Sequence, residues 1–591
     1  MVRRMGGGFG GKETQSAIPA LMAALVVDRT GRPARVVYGK DDDMHSTGKR
    51  HPYRTEYRVG CDSGGRIVAA RLRFLSNGGA FADLSTAVLE RTMFHADNSY
   101  FLPAVEIRAR VCRTNLPPNT AFRGFGGPQG MAVIETVMQE IAVRLGRDAL
   151  DVRRANLYEP NFTIEDVGPI GSSDGAGDFL PSASPPRAAA PDARSFTPYG
   201  QEVRDFRVPE LFERLERGAA YRERMTAIAA WNASSTTHLR GLAMTPVKFG
   251  ISFTTRFLNQ GNALVQVLTD GTVQVSTGAT EMGQGVQTKI AQLVGDELGL
   301  DPSRVLVLVT STERNANTSP TAASASTDLN GTAAVRATVA IRDRMAALAA
   351  TLLGAARASD LRFAGGEVFD ARDSQRHMTF AALADRARRE RVDLGARGFY
   401  ATPGIDFDRE SGQGSPFYYF TTGAALAQVL IDRFTGELRI EALDALMDAG
   451  NVLNHGIERG QGIGGLVQGI GWVTTEELVW TDGGELLSHS PTTYKIPNVD
   501  DVPDRLRFEF LEHAPNPRNV RSTKALGEPP IMLGLSVWAA ILHALSFVAP
   551  GEVPQLSLPA THEAILLAID ELERRRGAQA PAPVEAAAPR L

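Results

Sequence analysis

Glycine is gathered into short runs between apolar segments, and a chain built this way must fold around tightly turned backbone. The runs are Gly6-Gly7-Gly8-Phe9-Gly10-Gly11, Gly124-Phe125-Gly126-Gly127 and a third across residues 460–471. Without a Cβ the backbone takes positive φ readily and lets another group come close, so such runs predict tight turns or loops wrapped around a ligand. Between the runs the apolar pattern changes period. Residues 263–268 and 272–276 read as strands, whereas 340–356 and 209–231 repeat apolar side chains at helical spacing. The prediction is an α+β fold without the regular strand–helix rhythm of a doubly wound sheet.

At 591 residues the chain exceeds one ordinary core, so two or more packed domains are expected. From about 163 to 195 the composition turns to Gly, Ser, Ala, Pro and Asp, and the tail after Gly577 is similar. Such segments bury too little apolar surface to offset the entropy of ordering, which predicts a flexible insertion and a disordered tail.

A formal net charge of -4 gives no broad attraction for nucleic acid or an anionic membrane. The most apolar late stretch, 531–548, is short for a membrane span and contains His543, so it reads as a buried core helix. MVRRMGGGFGGKE lacks the apolar stretch of a signal peptide. Two cysteines, Cys61 and Cys112, cannot staple such a chain, which fits a reducing, cytoplasmic compartment. They also fall short of the four ligands that an iron–sulfur cluster normally takes, so no cluster is expected on this chain.

Gly6-x-Gly8-x-x-Gly11 matches the dinucleotide fingerprint, but that motif needs a preceding strand and a later acid. A loop around another cofactor, or a plain tight turn, explains it as well. The ten histidines are scattered without zinc-like pairing, and no nucleophile elbow or Walker motif occurs. Redox or hydrolytic chemistry here would therefore rest on a bound cofactor. Glu528 lies in Lys524-Ala-Leu-Gly-Glu-Pro-Pro530. Pro529 biases it away from helical backbone, which suits a fixed general base; a helix-start acid answering the dipole is the alternative. Arg91 and Arg123 face the alternative of solvated surface charge, although glycines and aromatics flank Arg123. Phe253 has the alternative of simple core.

Taken together, GGGFGGKE, NTAFRGFGGPQG, KFGISFT, TEMGQG, NTSPTAASASTDLNG, TTYKIP and KALGEPP follow the order found in the xanthine dehydrogenase/oxidase family of molybdenum hydroxylases. The resemblance runs from Met1 to about Leu567, interrupted by the Gly/Ser/Pro stretch. It implies a multi-domain molybdenum-hydroxylase large-subunit fold with glycine-rich cofactor loops. Residues 1–160 would be the remainder of a first molybdopterin-binding domain, 161–196 an insertion or linker, 197–575 a second such domain and 576–591 a disordered tail.

The resemblance also implies roles. Glu528 would deprotonate a molybdenum-bound hydroxyl, whose oxygen attacks an electron-poor ring carbon of hypoxanthine or xanthine on the way to urate. Phe9, Gly10, Arg123, Gln284, Ala323 and Gln461 would contact the molybdopterin, with no protein ligand to the molybdenum. Glu13 and Arg91 would orient the purine, Phe125 and Phe253 would hold its ring, and Thr254 would bond one edge. Electrons would pass through 2Fe-2S clusters to FAD and NAD on a partner subunit, in a hetero-oligomer. Aldehyde oxidases lack the Glu13/Arg91 type of pair, which favours purines; a hydroxylase of aldehydes or other N-heterocycles and a truncated non-catalytic paralogue are the alternative readings. The family's molybdenum subunit has a long region before its GGGFGG loop, whereas here that loop opens at Gly6, so an N-terminally truncated or split subunit that binds little molybdopterin alone is expected.

Overall fold

A computed structural model describes residues 1–159 and 193–579. At its centre lies a four-stranded sheet in the order Arg505–Phe510, Leu438–Met447, Tyr419–Asp432, His238–Ile251. The first pair is parallel and the others antiparallel. Period-two alternation splits its side chains between two apolar layers. Ala243, Val247, Ala425 and Ala427 join one core with Trp538 and Ile541. Leu242, Met244, Ala424 and Leu426 join another with Ile134, Val137, Leu211 and Phe212. Burial on both faces explains why the strand Tyr419–Asp432 has so few polar positions.

The first of these cores is closed by the apolar stretch that the sequence marks as a core helix. It begins as a tight 3-10 turn, Pro529–Gly534, and continues as the helix Leu535–Ser546. Consecutive prolines without N–H groups suit that turn. A second sheet of Gly395–Ala401, Gln260–Val267, Val273–Thr277 and Val305–Val307 packs with the helices Val286–Leu298 and Thr332–Leu353. The N-terminal part has its own sheet of Tyr53–Cys61, Ile67–Gly79 and Val105–Arg113.

Several expectations change. The helix expected over 209–231 is two helices, Val208–Gly218 and Tyr221–Ser234, parted at Ala220 with φ 49°. At the start of the second helix Arg222 pairs with Asp148, Asp151 and Glu216. The third glycine run is not a loop but part of the helix His455–Thr474. A Cβ at Gly469 would stand 2.1 Å from the carbonyl oxygen of Ile531, so glycine lets this helix touch the 3-10 turn. Most of the Gly/Ser/Pro stretch (160–192) lies outside the described residues, while Ala193–Ser195 forms a helical turn. The last helix, His562–Gln579, runs into the segment expected to be a disordered tail, of which 580–591 lie outside the described residues. Parts of the chain before and after that stretch share cores, which composition alone does not reveal.

Candidate active site

Loops from both parts of the chain meet around a cavity of about 800 Å³. Phe9, Gly10, Glu13, Arg91, Arg123, Phe125, Phe253, Thr254, Gln284, Ala323, Gln461 and Glu528 all line it.

Glu528 sits on a loop gripped by buried Arg123. Its backbone is helical (φ -104°, ψ -42°), against the bias expected before a proline. Tertiary contacts override that bias. Buried Arg123 donates through Nε to the Gly527 carbonyl at 2.5 Å and through Nη2 to the Gln461 carbonyl at 3.0 Å. Arg50 Nη2 in turn donates to the Arg123 carbonyl at 2.9 Å. The Glu528 carboxylate makes no capping bond to the turn that follows. Instead its Oε2 accepts from Ser324 Oγ at 3.0 Å. Burial pushes the Arg123 guanidinium down to about 10, an effect that Glu528 opposes.

On the facing wall, Arg91 is buried in the helix Ser85–Phe94. Its Nη1 donates to the Ser252 carbonyl at 3.1 Å and its Nη2 to that of Gly250, while the guanidinium lies 4.6 Å from the Phe249 ring centre and 5.2 Å from that of Phe417. Its Nε is buried without a protein partner. Buried His95 ties this helix to the same strand, accepting at Nε2 from the Gly250 amide at 3.1 Å. Thr254 Oγ1 donates to Glu90 Oε2 at 2.9 Å, and Arg409 holds Glu90 from outside at 2.7 Å. Glu13 remains open to cavity water. Crowding by the protein, then the carboxylates of Glu528 and Asp83, push its carboxyl up to about 7.

Backbone conformation marks the remaining loops. Phe9 (φ 51°), Phe125 (φ 48°), Ala323 (φ 54°) and Ser324 (φ 57°) all occupy left-handed space without being glycine. Gln284 is folded onto its own loop, accepting from the Met282 amide at 2.6 Å and donating to the Thr280 carbonyl at 3.0 Å. Buried Glu281 accepts the amides of Gly283, Gly285 and Gln287 at 2.8, 3.0 and 3.1 Å. Those amides are thereby occupied by the protein itself.

The sequence matches the molybdopterin cofactor-binding domain in two stretches, 1–157 and 214–503. It is 39% identical to xanthine dehydrogenase of Oryza sativa subsp. japonica over 97% of this chain and 39% of that protein. Xanthine dehydrogenase/oxidase of Mus musculus is likewise 39% identical, over 95% of this chain and 39% of that protein. The chain belongs to the xanthine dehydrogenase family, in its molybdopterin-binding region. It spans about two fifths of the length of these curated relatives. Among solved structures, quinoline 2-oxidoreductase from Pseudomonas putida 86 superposes with a TM-score of 0.79 at 26% identity, covering 97% of this chain and 69% of that one.

The cavity's own features fit the cofactor that binds this family's domains. An added Cβ at Gly6 or Gly283 would meet only open space, so bare backbone faces the cavity there. Left-handed Ala323 and Ser324 are strained, and such strain concentrates at ligand clamps. Lys12 with the hydroxyls of Thr280, Thr321, Ser326 and Thr327 adds donors for a polar anionic guest. Among the described residues no three His, Cys, Asp or Glu side chains form a metal ligand set.

Sequence reasoning missed Ser324, although it lies inside a quoted motif. It also missed Glu90, Glu281, Asp328 and Tyr419, which act through bonds to residues distant in sequence or to backbone. Glu281 and Asp328 also lie inside the TEMGQG and NTSPTAASASTDLNG strings, whereas Glu90 and Tyr419 carry no local signal beyond polarity within a mostly apolar stretch.

Proposed function

We propose that this protein is the molybdenum-cofactor part of a xanthine dehydrogenase that hydroxylates hypoxanthine and xanthine to urate, with Glu528 as general base. The observation that carries the reading is the convergence of Glu528, Glu13, Arg91, Phe125 and Phe253 on one cavity. When bound, the molybdenum cofactor supplies the oxygen to be transferred and accepts two electrons. Phe9, Gly10, Arg123, Gln284, Ala323 and Gln461 would hold it, the loop 6–11 largely through main chain.

Each round converts a ring C–H to C–OH with water as the oxygen source, releasing two electrons and two protons. Ser324 occupies Oε2 of Glu528, which leaves Oε1 as the acceptor for the proton lost as the oxygen nucleophile forms. Arg91 stabilises negative charge growing on the heterocycle. Backbone carbonyls and aromatic faces already fix its guanidinium, so little reorganisation is needed. Glu13, titrating near 7, can donate to a ring nitrogen when protonated or accept from a ring N–H when ionised. Because the Thr254 hydroxyl proton points to Glu90, Thr254 offers the substrate a lone pair. Phe125 and Phe253 hold the ring between them. Electrons would leave through 2Fe-2S clusters and FAD of a partner subunit or domain to NAD.

A second reading, hydroxylation of another N-heterocycle, is favoured by the likeness to quinoline 2-oxidoreductase. It predicts turnover that survives Glu13→Ala and Arg91→Ala. The decisive test measures xanthine-dependent NAD reduction by the loaded complex with Glu528→Gln beside the wild type. A fall of about a hundredfold or more at equal molybdenum content is expected. Equal rates would remove Glu528 from this role.

A further inference from the structure

The loop 523–528 is gripped along its length, and one grip reaches across to the opposite cofactor loop. Tyr419, at the start of the strand Tyr419–Asp432, donates its hydroxyl proton to Asp328 Oδ2 at 2.7 Å. The Tyr419 hydroxyl oxygen itself accepts the Ala525 amide at 3.0 Å. A phenol has a single proton, and its commitment to a carboxylate leaves the oxygen as the acceptor for Ala525. Two positions along the strand, on the same face, Thr421 Oγ1 donates to the Ala525 carbonyl at 3.0 Å. Both polar groups of Ala525, three residues before Glu528, are thus set by one strand.

Asp328 belongs to the other loop. It sits in the single π-helical turn Thr327–Gly331, shortly after Ser324, whose hydroxyl holds Glu528 Oε2. Such turns recur at functional sites. Its second oxygen accepts from Asn519 Nδ2 at 2.8 Å, and that Nδ2 also reaches the Thr523 carbonyl at 3.2 Å. Asp328 and Tyr419 are each only 6% exposed, so water is poorly placed to replace these bonds. One carboxylate therefore ties the Ser324 loop to the Glu528 loop twice.

We propose that Asp328 and Tyr419 are positioning residues that fix the Ser324 and Glu528 loops relative to each other, and so aim the Glu528 carboxylate. The catalytic consequence rests on Glu528 being the base. The coupling of the two loops does not. Misplacing a reacting group by about 1 Å can lower turnover about a hundredfold, so a pair that holds the two loops together has leverage.

The test uses the full chain in complex with its partner, with Tyr419→Phe and Asp328→Asn. Tyr419→Phe removes both bonds of the hydroxyl. Asp328→Asn keeps an acceptor for Tyr419 but sets two amide donors against each other at Asn519, giving a milder variant should the first fold poorly. Two measurements are made. Hydrogen exchange on the cofactor-free chain is expected to quicken about tenfold in peptides covering 523–528 and 323–328, with 361–379 unchanged. In the loaded complex, kcat is expected to fall roughly tenfold to a hundredfold while KM stays within about threefold and molybdenum content holds. Unchanged exchange in either variant overturns the coupling. Faster exchange with unchanged kcat, or a KM effect alone, overturns the positioning role. If Glu528→Gln itself turns over normally, the base reading fails, and the exchange result still decides the coupling.

Discussion

Glu13 and Glu528 stand near enough for one to raise the proton affinity of the other, yet the segments that carry them are anchored by very different amounts of core. Beyond Glu528, Ile531, Met532, Leu533, Leu535 and Ile541 are all fully buried. Beyond Glu13, the helix Ala17–Thr30 buries no residue, and Leu21 and Leu25 are 63% and 62% exposed. What holds the Glu13 wall is mostly polar. Gln15 donates to Asp83 at 2.9 Å and accepts the Gly48 amide at 2.8 Å. Local opening costs follow buried apolar contact, so the Glu528 wall is preorganised and the Glu13 wall opens more cheaply.

The largest expected effect lies on the firm wall. Lys524 Nζ is buried between Asp205, at 2.6 Å, and Asp448, which is 0% exposed. Lys524→Met leaves Asp448 as an uncompensated buried carboxylate, and about 3–5 kcal/mol of stability should be lost. Denaturant midpoints measure it. A cost under about 1 kcal/mol would mean that this wall is not held by its core and buried charge.

A matched pair of truncations sharpens the contrast at somewhat smaller scale. Ile531→Ala empties volume in a closed core and should cost about 2–5 kcal/mol. Leu25→Ala, on the exposed helix, should stay within about 0.5 kcal/mol. Equal costs for the two, read from the same unfolding transition, would erase the difference between the walls.

The same contrast separates what the sequence makes legible from what it hides. Several cavity-lining residues, among them Phe9, Glu13, Arg123, Gln284 and Glu528, lie in contiguous strings and are readable locally, whereas Arg91 and Gln461 lie outside those strings. Strands such as Gln260–Val267 were legible because their apolar runs are short and bounded. Long-range tertiary contacts were not. The helix break at Ala220 lies beside Arg222, which meets acids on other elements. The conformation of Glu528 follows from Arg123 gripping Gly527, a contact that outweighs the local effect of Pro529. Glycines in the helix His455–Thr474 looked like loop because their intrinsic propensity is poor, and only close packing against Ile531 makes them helical. Tyr419 and Asp328 lie 91 positions apart, beyond any sequence period.

The smallest effect tests whether Glu13 stays beside Glu528 when its wall is free to move. Its carboxyl is raised from 4.5 to about 7, so the folded chain keeps a proton there that the unfolded chain has already lost. Between those values the folded state binds more protons than the unfolded one. Stability must therefore fall as pH rises through that window, with the deficit complete above about 7. Glu13→Gln cannot ionise and lacks that fall. Melting temperatures of both proteins from about pH 4 to about pH 8 should coincide at the acid end, then separate with the variant higher, and run parallel beyond. Water still reaches Glu13, which keeps the separation modest. Curves that never separate would mean that the N-terminal wall swings Glu13 away from Glu528 in solution, making the difference between the two walls larger still.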